Sequence, residues 1–430
     1  METVKRVPKK KEEFLAFCKE NEHEVYIFGA DIAGKILNLL LRSFDLHIDG
    51  FIDNNKNKCG ELLSNVPVVH AASLNEISKD SVFLITSTYI SDIIRQLEDL
   101  GFYNWVPVDE IFEEYSPSEL SDFLEGDLRN NHAGGEFTKD FDIFVLNNMI
   151  NSQKQYLDTS KLYVRSIDLI ITEKCTLKCT DCSNLMQYYE NPINIETDEL
   201  KDDIDDIVAI ADEINEIRVI GGDAFANPNF REAIVYASSK ECINKVVIYT
   251  NGVVCPAEEK IAAIAHPKVF VFITTYGDLS RRTDRLSEML DKYKIPFNCQ
   301  PAYGWTDCSD IKFQDRDPDN LHETFKMCCA KHFTTLTDGK VFRCPFSANV
   351  ERLKAIPELP DDYYDIRGAR FLSKKKLAGK KNSLRWYLRE KPYIDACNYC
   401  NGRTYGDPEI TPGIQTKTIK PYTQYSRLKV

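Results

Sequence analysis

Three cysteines, Cys175, Cys179 and Cys182, stand at spacings of three and two intervening residues, just after the apolar run Leu169-Ile170-Ile171. Three thiolates on one loop can take three corners of a cubane iron–sulfur cluster and leave the fourth iron open to a non-protein ligand. A structural zinc wants a fourth protein ligand, and no His or further Cys lies nearby. A second set follows: Cys328 and Cys329, then Gly339, Cys344, and the pair Cys397 and Cys400. A Cys, nine or ten residues, Gly, four residues and Cys place two thiolates across a hairpin, and the distant Cys-x-x-Cys closes a four-thiolate site. Cys328 and Cys329 both fit the first position, and Cys329 is taken as the ligand. Zinc suits this second set equally well on geometry. Cys18, Cys59, Cys242, Cys255, Cys299 and Cys308 have no ligand spacing and read as core thiols. Of these, Cys299 and Cys308 lie near an expected strand end, where a thiol can donate hydrogen to a radical.

Two further strand-and-turn elements follow the triple-cysteine loop. Ile217-Arg218-Val219-Ile220-Gly221-Gly222-Asp223 ends in two glycines and an acid, and Val246-Val247-Ile248-Tyr249-Thr250-Asn251-Gly252 ends in Thr-Asn-Gly. Either turn alone is ordinary; in this order, after the cysteines, the set resembles the radical S-adenosylmethionine (SAM) superfamily. The resemblance implies a [4Fe-4S] cluster on Cys175, Cys179 and Cys182, completed by SAM, whose reduction yields a 5′-deoxyadenosyl radical. It also implies that Gly221, Gly222, Asp223, Thr250 and Asn251 form the SAM site. The chain departs from the family at Asp181, where an aromatic residue is usual, and at Asp223, which replaces Glu. The second cysteine set resembles the twitch form of the SPASM extension. That implies an auxiliary [4Fe-4S] cluster on Cys329, Cys344, Cys397 and Cys400.

Six strands are expected to carry these loops, near Ser166–Thr172, Glu216–Ile220, Lys245–Tyr249, Val269–Thr274, Pro296–Gln300 and Thr334–Thr337. With helices between them they give an open, partial (β/α)6 TIM-type barrel whose site lies at the C-terminal strand ends. Upstream, Glu24 to Asp109 alternates strand and helix, as in a Rossmann-like parallel sheet. Asp109 to Asp127 holds eight acids and no base, and Asn130 to Phe137 contains Asn130-Asn131 and Gly134-Gly135, which together read as a boundary. A helical bridge is expected over Asp142–Tyr156. The α/β chain thus divides into a Rossmann-like domain (1–110), an acidic, helical linker (111–160), a radical SAM partial barrel (161–325) and a twitch/SPASM-like iron–sulfur domain (326–430).

The composition agrees with several globular domains: 430 residues, 43% hydrophobic and 28% charged. A net charge of −13 argues against nucleic acid as a partner. The longest apolar runs are about five residues, against the roughly 18 of a membrane span. Without a secretory apolar segment at Met1 to Arg6, and with clustered thiols, a cytoplasmic address is expected.

In the first domain, Gly29-x-Asp31-x-x-Gly34 departs from Gly-x-Gly-x-x-Gly where a missing side chain lets backbone reach a pyrophosphate. Asp53 does sit where a ribose-binding acid would. NAD is disfavoured, whereas nucleotide or nucleotide-sugar docking and a scaffold or dimerisation role both stand. Gly29 to Asn54, with Val66-Pro67-Val68, resembles Rossmann-like domains of sugar-modifying and capsule-assembly enzymes. The combined expectation is a radical SAM enzyme that abstracts hydrogen from a sugar, nucleotide-sugar or polyol carbon in glycan or polysaccharide biosynthesis. The outcome is dehydrogenation, with an auxiliary cluster as electron acceptor, or epimerisation. Cys299 and Tyr303 are the candidate catalytic residues, and Tyr276, Trp305 and Arg343 the candidate substrate contacts. Modification of a ribosomal peptide and a nonenzymatic metal-cluster scaffold are the alternatives. A reductant such as flavodoxin or ferredoxin is the expected protein partner, with a homodimer left open. The basic run from Arg367 to Arg389 reads as a solvated helix face or a site for phosphate or an anionic membrane surface.

Overall fold

The short apolar runs Val25-Tyr26-Ile27-Phe28 and Val82-Phe83-Leu84-Ile85 have no polar alternation, the pattern of parallel strands covered on both faces. The computed structural model, which describes residues 8, 10–21, 23–124, 139–158, 160–404 and 406–427, confirms that reading. Its contacts divide the chain into two units, Met1–Ser160 and Lys161–Val430.

In the first unit, β1 (Val25–Phe28), β2 (Gly50–Asp53), β3 (Leu62–Leu63), β4 (Val66–His70), β5 (Val82–Ile85) and β6 (Trp105–Pro107) lie in the order β3-β4-β2-β1-β5-β6. All pairs are parallel except the β3–β4 hairpin. Helices α1 (Lys11–Asn21), α2 (Ile32–Arg42), α3 (Ile90–Asp99), α4 (Asp109–Phe112), α5 (Pro117–Ser121) and α6 (Lys139–Leu157) complete it. The expected linker is part of this unit. Leu146 and Met149 of α6 are buried in its core, and the Gln153 amide donates to Ile85 O (2.7 Å) and accepts from Val108 N (2.7 Å). The acidic turns up to Leu124 therefore pack as helices α4 and α5, while Asn130–Phe137 lies outside the described residues.

The second unit is a nine-stranded sheet. It comprises β7 (Tyr163–Val164), β8 (Ile167–Thr172), β9 (Glu213–Gly221), β10 (Ile243–Thr250), β11 (Val269–Thr275), β12 (Phe297–Pro301), β13 (Thr335–Thr337), β14 (Lys340–Phe342) and β15 (Tyr363–Asp365). Its helices are α7 (Thr197–Ile210), α8 (Phe230–Ser238), α9 (Glu258–Ala263), α10 (Thr283–Lys292), α11 (Pro318–Met327), α12 (Pro345–Arg352) and α13 (Lys374–Arg389). Alternate residues of β8 to β11, such as Leu169, Val219, Ile248 and Val271, join Ile204, Ile234 and Leu290 of the helices in one core. The residues between them, Asp168, Arg218, Tyr249 and Phe272, are thereby turned to the opposite, inner face.

The parallel, partial TIM-type wall is as expected, but its sixth strand is elsewhere. The order is β12-β11-β10-β9-β8-β13-β14-β15, so β13 pairs in parallel with β8 (Leu336↔Leu169) and does not extend the wall beyond β12. The tight turn at Asp338 and Gly339, both at positive φ, folds β14 back on β13, and Asp203 of α7 accepts from Gly339 N at 2.7 Å. Leu336 and Val341 enter the same core as the barrel helices, so residues 326–430 do not separate from the barrel. Much of the basic run is tied to acids and carbonyls of this unit, including Lys381 to Asp212 and Arg370 to Asp206. Among the described residues no helix is long and apolar enough to cross a membrane.

Candidate active site

The triple-cysteine loop leaves β8 under close control. Thr172 Oγ1 accepts from Lys174 N (3.0 Å) and pairs with Asn194 (2.8 Å), and the buried Glu173 bridges to Arg352 of α12 at 2.7 Å. Two glycines let the loop lie against the end of β9. A Cβ on Gly221, at φ +150°, would stand 2.0 Å from Thr172 O, and one on Gly222 would stand 2.3 Å from Lys174 O and 2.7 Å from Cys175 Cβ. The Asn251 amide reaches Cys175 Sγ at 3.6 Å. Burial raises all three thiol pKa values, that of Cys182 to about 11, and the thiols act electrostatically on one another. The three sulfurs therefore share one locus.

The loop fits an iron–sulfur cluster better than a single ion. A cubane cluster spreads its thiolate ligands over several irons, so three cysteines on one loop suffice for it. The donor set is all sulfur, as such clusters require.

A cavity of about 240 Å³ opens beside the loop at the C-terminal strand ends. Gly221, Gly222, Thr250, Asn251 and Tyr276, all expected site residues, line it. Asp223 does not. Its buried carboxylate accepts from Thr250 Oγ1 (3.0 Å), Asn251 N (2.8 Å) and Phe225 N (2.9 Å), which ties the two motif turns together from behind. Burial still holds its pKa above the usual carboxylate range.

Sequence reasoning missed the floor of the cavity. There Asp168 and Arg218 form a buried ion pair; burial opposes the guanidinium charge, and Asp168 more than offsets it, keeping Arg218 charged. Arg218 also lies over the Phe333 ring at 5.0 Å and that of Tyr249 at 5.9 Å. Ser183 and Asn184 line the cavity after the third cysteine, and Asn184 donates to Gly221 O at 3.1 Å. On β12, Asn298 is 1% exposed, and among the described residues neither amide atom has a hydrogen-bond partner. For Asp168 the signal was a lone charge at an inner position of the apolar strand β8.

Three expectations are corrected. Cys299 pairs with Ile273 and packs against the helix-side core, so strand alternation turns it away from the inner face. Tyr303 is 52% exposed and does not line the cavity. Arg343 is buried against Phe325 and donates to Tyr387 O at 2.7 Å, a structural role. Trp305 stands edge-on to Tyr276, with ring centroids 6.0 Å apart, and braces a wall without forming one.

The second cysteine set converges with one change of register. Cys328, Cys344, Cys397 and Cys400 act on one another electrostatically. Cys329, the expected ligand, lies within electrostatic reach of Arg403 and Asp407 as well as of its neighbour Cys328 and of Cys308. At the end of α11, Cys328 caps the helix with its sulfur accepting from Ala330 N (3.4 Å), and Cys329 N donates to Arg403 O (3.0 Å). Cys344 ends the hairpin and begins α12. Arg316 donates to Cys400 O (2.8 Å) and Asn401 O (3.2 Å), and Asp362 accepts from Asp395 N and Ala396 N. These two side chains fix the Cys-x-x-Cys turn. Cys308 lies within electrostatic reach of both sets, beside Cys182 and Cys400.

In the first unit the glycine loop after β1 is filled by its own carboxylates. Asp53 accepts from Ala30 N (3.0 Å), Asp31 caps Ile32 N (2.9 Å), and Lys58 lies between the two acids. Two N–H groups of this turn, those of Ala30 and Ile32, are thus taken up by the chain's own carboxylates.

Residues 169–285 match the family model of the Radical SAM superfamily, and residues 21–105 match the C2185-like N-terminal domain. No curated protein matches the chain. Among solved structures, BtrN in complex with AdoMet and 2-DOIA is 14% identical and aligns over 59% of this chain and 99% of that chain, with a TM-score of 0.38. Native anSMEcpe with bound AdoMet and Kp18Cys peptide is 13% identical over 57% of this chain and 93% of that chain, with a TM-score of 0.33.

Proposed function

We propose that this chain, which carries a radical SAM domain over residues 169–285 and a C2185-like domain over 21–105, oxidises a hydroxyl-bearing carbon of a sugar, nucleotide sugar or related polyol. The observation that carries this reading is the Asp168–Arg218 pair on the floor of the cavity. A hydroxyl-rich substrate meets there an acceptor, a donor and the faces of Tyr249 and Phe333, which suit a ring with one polar and one apolar side. A [4Fe-4S] cluster with SAM would supply the radical chemistry that removes a hydrogen atom from carbon.

The chain's own residues would do the rest. Cys175, Cys179 and Cys182 hold the cluster, and Gly221, Gly222, Thr250 and Asn251 cradle SAM. Asp168 Oδ orients the substrate hydroxyl and takes its proton as the carbonyl forms. Tyr276 and Trp305 keep water from the reacting carbon. Cys328, Cys344, Cys397 and Cys400 would hold an auxiliary [4Fe-4S] cluster, which would supply an acceptor for the remaining electron. Oxidation is preferred to epimerisation because Cys299, the expected hydrogen donor, faces the helices. A small reductant protein such as flavodoxin or ferredoxin would restore the first cluster.

The test is anaerobic reconstitution followed by SAM cleavage assays with nucleotide sugars and polyols. Substrate-dependent 5′-deoxyadenosine with a ketone product is expected. Stimulation by a peptide alone, or an epimer as product, would overturn the reading. About eight irons per chain, falling to about four in a Cys344→Ala/Cys397→Ala/Cys400→Ala variant, would support two cubanes, and about one zinc in place of the second four irons would remove the electron acceptor.

A further inference from the structure

The segment that follows the second cysteine set returns to the first. Thr180 N donates to Ile414 O (2.8 Å) and Thr416 N to Lys178 O (2.7 Å), which forms an antiparallel bridge between Cys179 and Gln415. The loop between the first and third cysteines has no regular partner of its own, so this strap satisfies backbone groups that would otherwise go unpaired. The Gln415 side chain adds two bonds. Its Oε1 accepts from Lys178 N at 2.7 Å, and its Nε2 donates to Cys179 Sγ at 3.2 Å. Nε2 is held in place by a further bond to Gly413 O at 2.7 Å. The strap is anchored on either side. Gly413, at φ +74°, passes so close to Tyr276 that a Cβ would stand 2.5 Å from the ring, and Lys420 donates its N–H to Gln187 O (2.9 Å) and pairs with Asp310 (2.7 Å).

We propose that Gln415 is a positioning residue of the first cluster, raising its reduction potential through the hydrogen bond to Cys179 Sγ while the strap keeps that ligand dry. Reduction adds negative charge to the cluster and its sulfurs, and an N–H aimed at sulfur favours the more negative state; hydrogen bonds to sulfur and solvent exposure are two of the terms that set such potentials. Cys179 is 7% exposed beneath the strap. This inference rests on the radical SAM reading of Cys175, Cys179 and Cys182.

The experiment compares the full chain, reconstituted anaerobically, with Gln415→Glu and Gln415→Met. Gln415→Glu keeps the acceptor for Lys178 N and loses the donor to sulfur; Gln415→Met loses both without adding charge. Poised redox titrations followed by EPR read the potential, and the signal that changes on adding SAM identifies the first cluster. Both variants are expected to keep wild-type iron content and to titrate at more negative potentials, Gln415→Glu by more. A wild-type potential in both overturns the proposal. If Gln415→Met loses iron, Gln415→Glu decides: a negative shift supports tuning, and an unchanged potential overturns it. A Cys175→Ala/Cys179→Ala/Cys182→Ala variant separates the two levels. Wild-type iron in that variant removes the cluster reading itself, whereas loss of about four irons beside unshifted Gln415 variants removes only the tuning.

Discussion

Two strands of this chain end in a glycine turn followed by an acid, and the two turns have opposite fates. After β1, Gly29-Ala30-Asp31 is closed by carboxylates: Asp53 takes Ala30 N and Asp31 takes Ile32 N. After β9, Gly221-Gly222-Asp223 stays open, because Asp223 is drawn behind the turn by Thr250, Asn251 and Phe225. The glycines themselves differ in purpose. Gly34 lets α2 pack on the first turn, since a Cβ there would stand 2.0 Å from Gly29 O, whereas Gly222 lets the cysteine loop pack on the second. The same residue types therefore make a sealed structural turn in one unit and a cavity wall in the other. What separates them is where the acid's acceptors are used.

The largest effect expected from this contrast is at the glycines. Gly222→Ala would push on Lys174 O and Cys175 Cβ, both fixed parts of the cysteine loop. It is expected to abolish 5′-deoxyadenosine formation and to lower iron content. Gly34→Ala should lower the melting temperature of the first unit and leave iron content and SAM cleavage as in the wild type. Iron analysis beside a SAM cleavage assay on both variants checks the pair, and equal loss in both would erase the distinction.

Next come the ion pairs. Arg218→Met leaves Asp168 buried without its partner, a change that costs about 3–5 kcal/mol. Asp53→Ala removes an acceptor from Ala30 N and Asn55 N and should cost about 1–3 kcal/mol. Lys58→Met breaks longer contacts to Asp31 and Asp53, at 3.4 and 3.5 Å, with the Lys58 side chain 30% exposed, and should cost about 0–1 kcal/mol. Urea unfolding followed separately in each unit gives the three values, and their order matters more than their size.

Much of this was readable from composition and alternation. The strands β8 to β11 announced themselves because their core-facing residues, such as Leu169, Val219, Ile248 and Val271, repeat at the strand period. The cysteine, Gly-Gly and Thr-Asn-Gly turns followed from type and spacing. Three things were not local. The place of β13 beside β8 depends on a pairing across the whole barrel, and nothing within Thr335–Thr337 specifies a partner. Which of the adjacent Cys328 and Cys329 lies nearer Cys344, Cys397 and Cys400 depends on where α11 stops. Cys299 was misread because chemistry was assigned to a strand end without its parity, although Phe297 and Cys299 share the parity of the apolar face. Asp168 and Arg218 were passed over for the converse reason: Asp168 is the one charge of β8, Arg218 shares β9 with Glu213 and Glu216, and only the pairing of the two strands (Asp168↔Arg218) shows that they face each other.

A pH-dependent effect concerns a third carboxylate that fills a turn. Asp203 accepts from Gly339 N at the β13–β14 turn, as Asp53 does from Ala30 N, and at 6% exposure it is more buried than the Asp53 side chain at 14%; burial pushes the Asp203 pKa from 3.8 up to about 7. The folded state then holds this proton more tightly than the unfolded chain. Its contribution to stability is fully present below the ordinary value near 3.8 and is lost as pH rises through about 7. Melting temperatures measured from pH 4 to pH 8 should fall more steeply in the wild type than in Asp203→Asn, which keeps an acceptor for Gly339 N without the ionisation. Parallel curves would mean that the Asp203 carboxylate is as well solvated as that of Asp53, and that depth of burial does not distinguish the two turns.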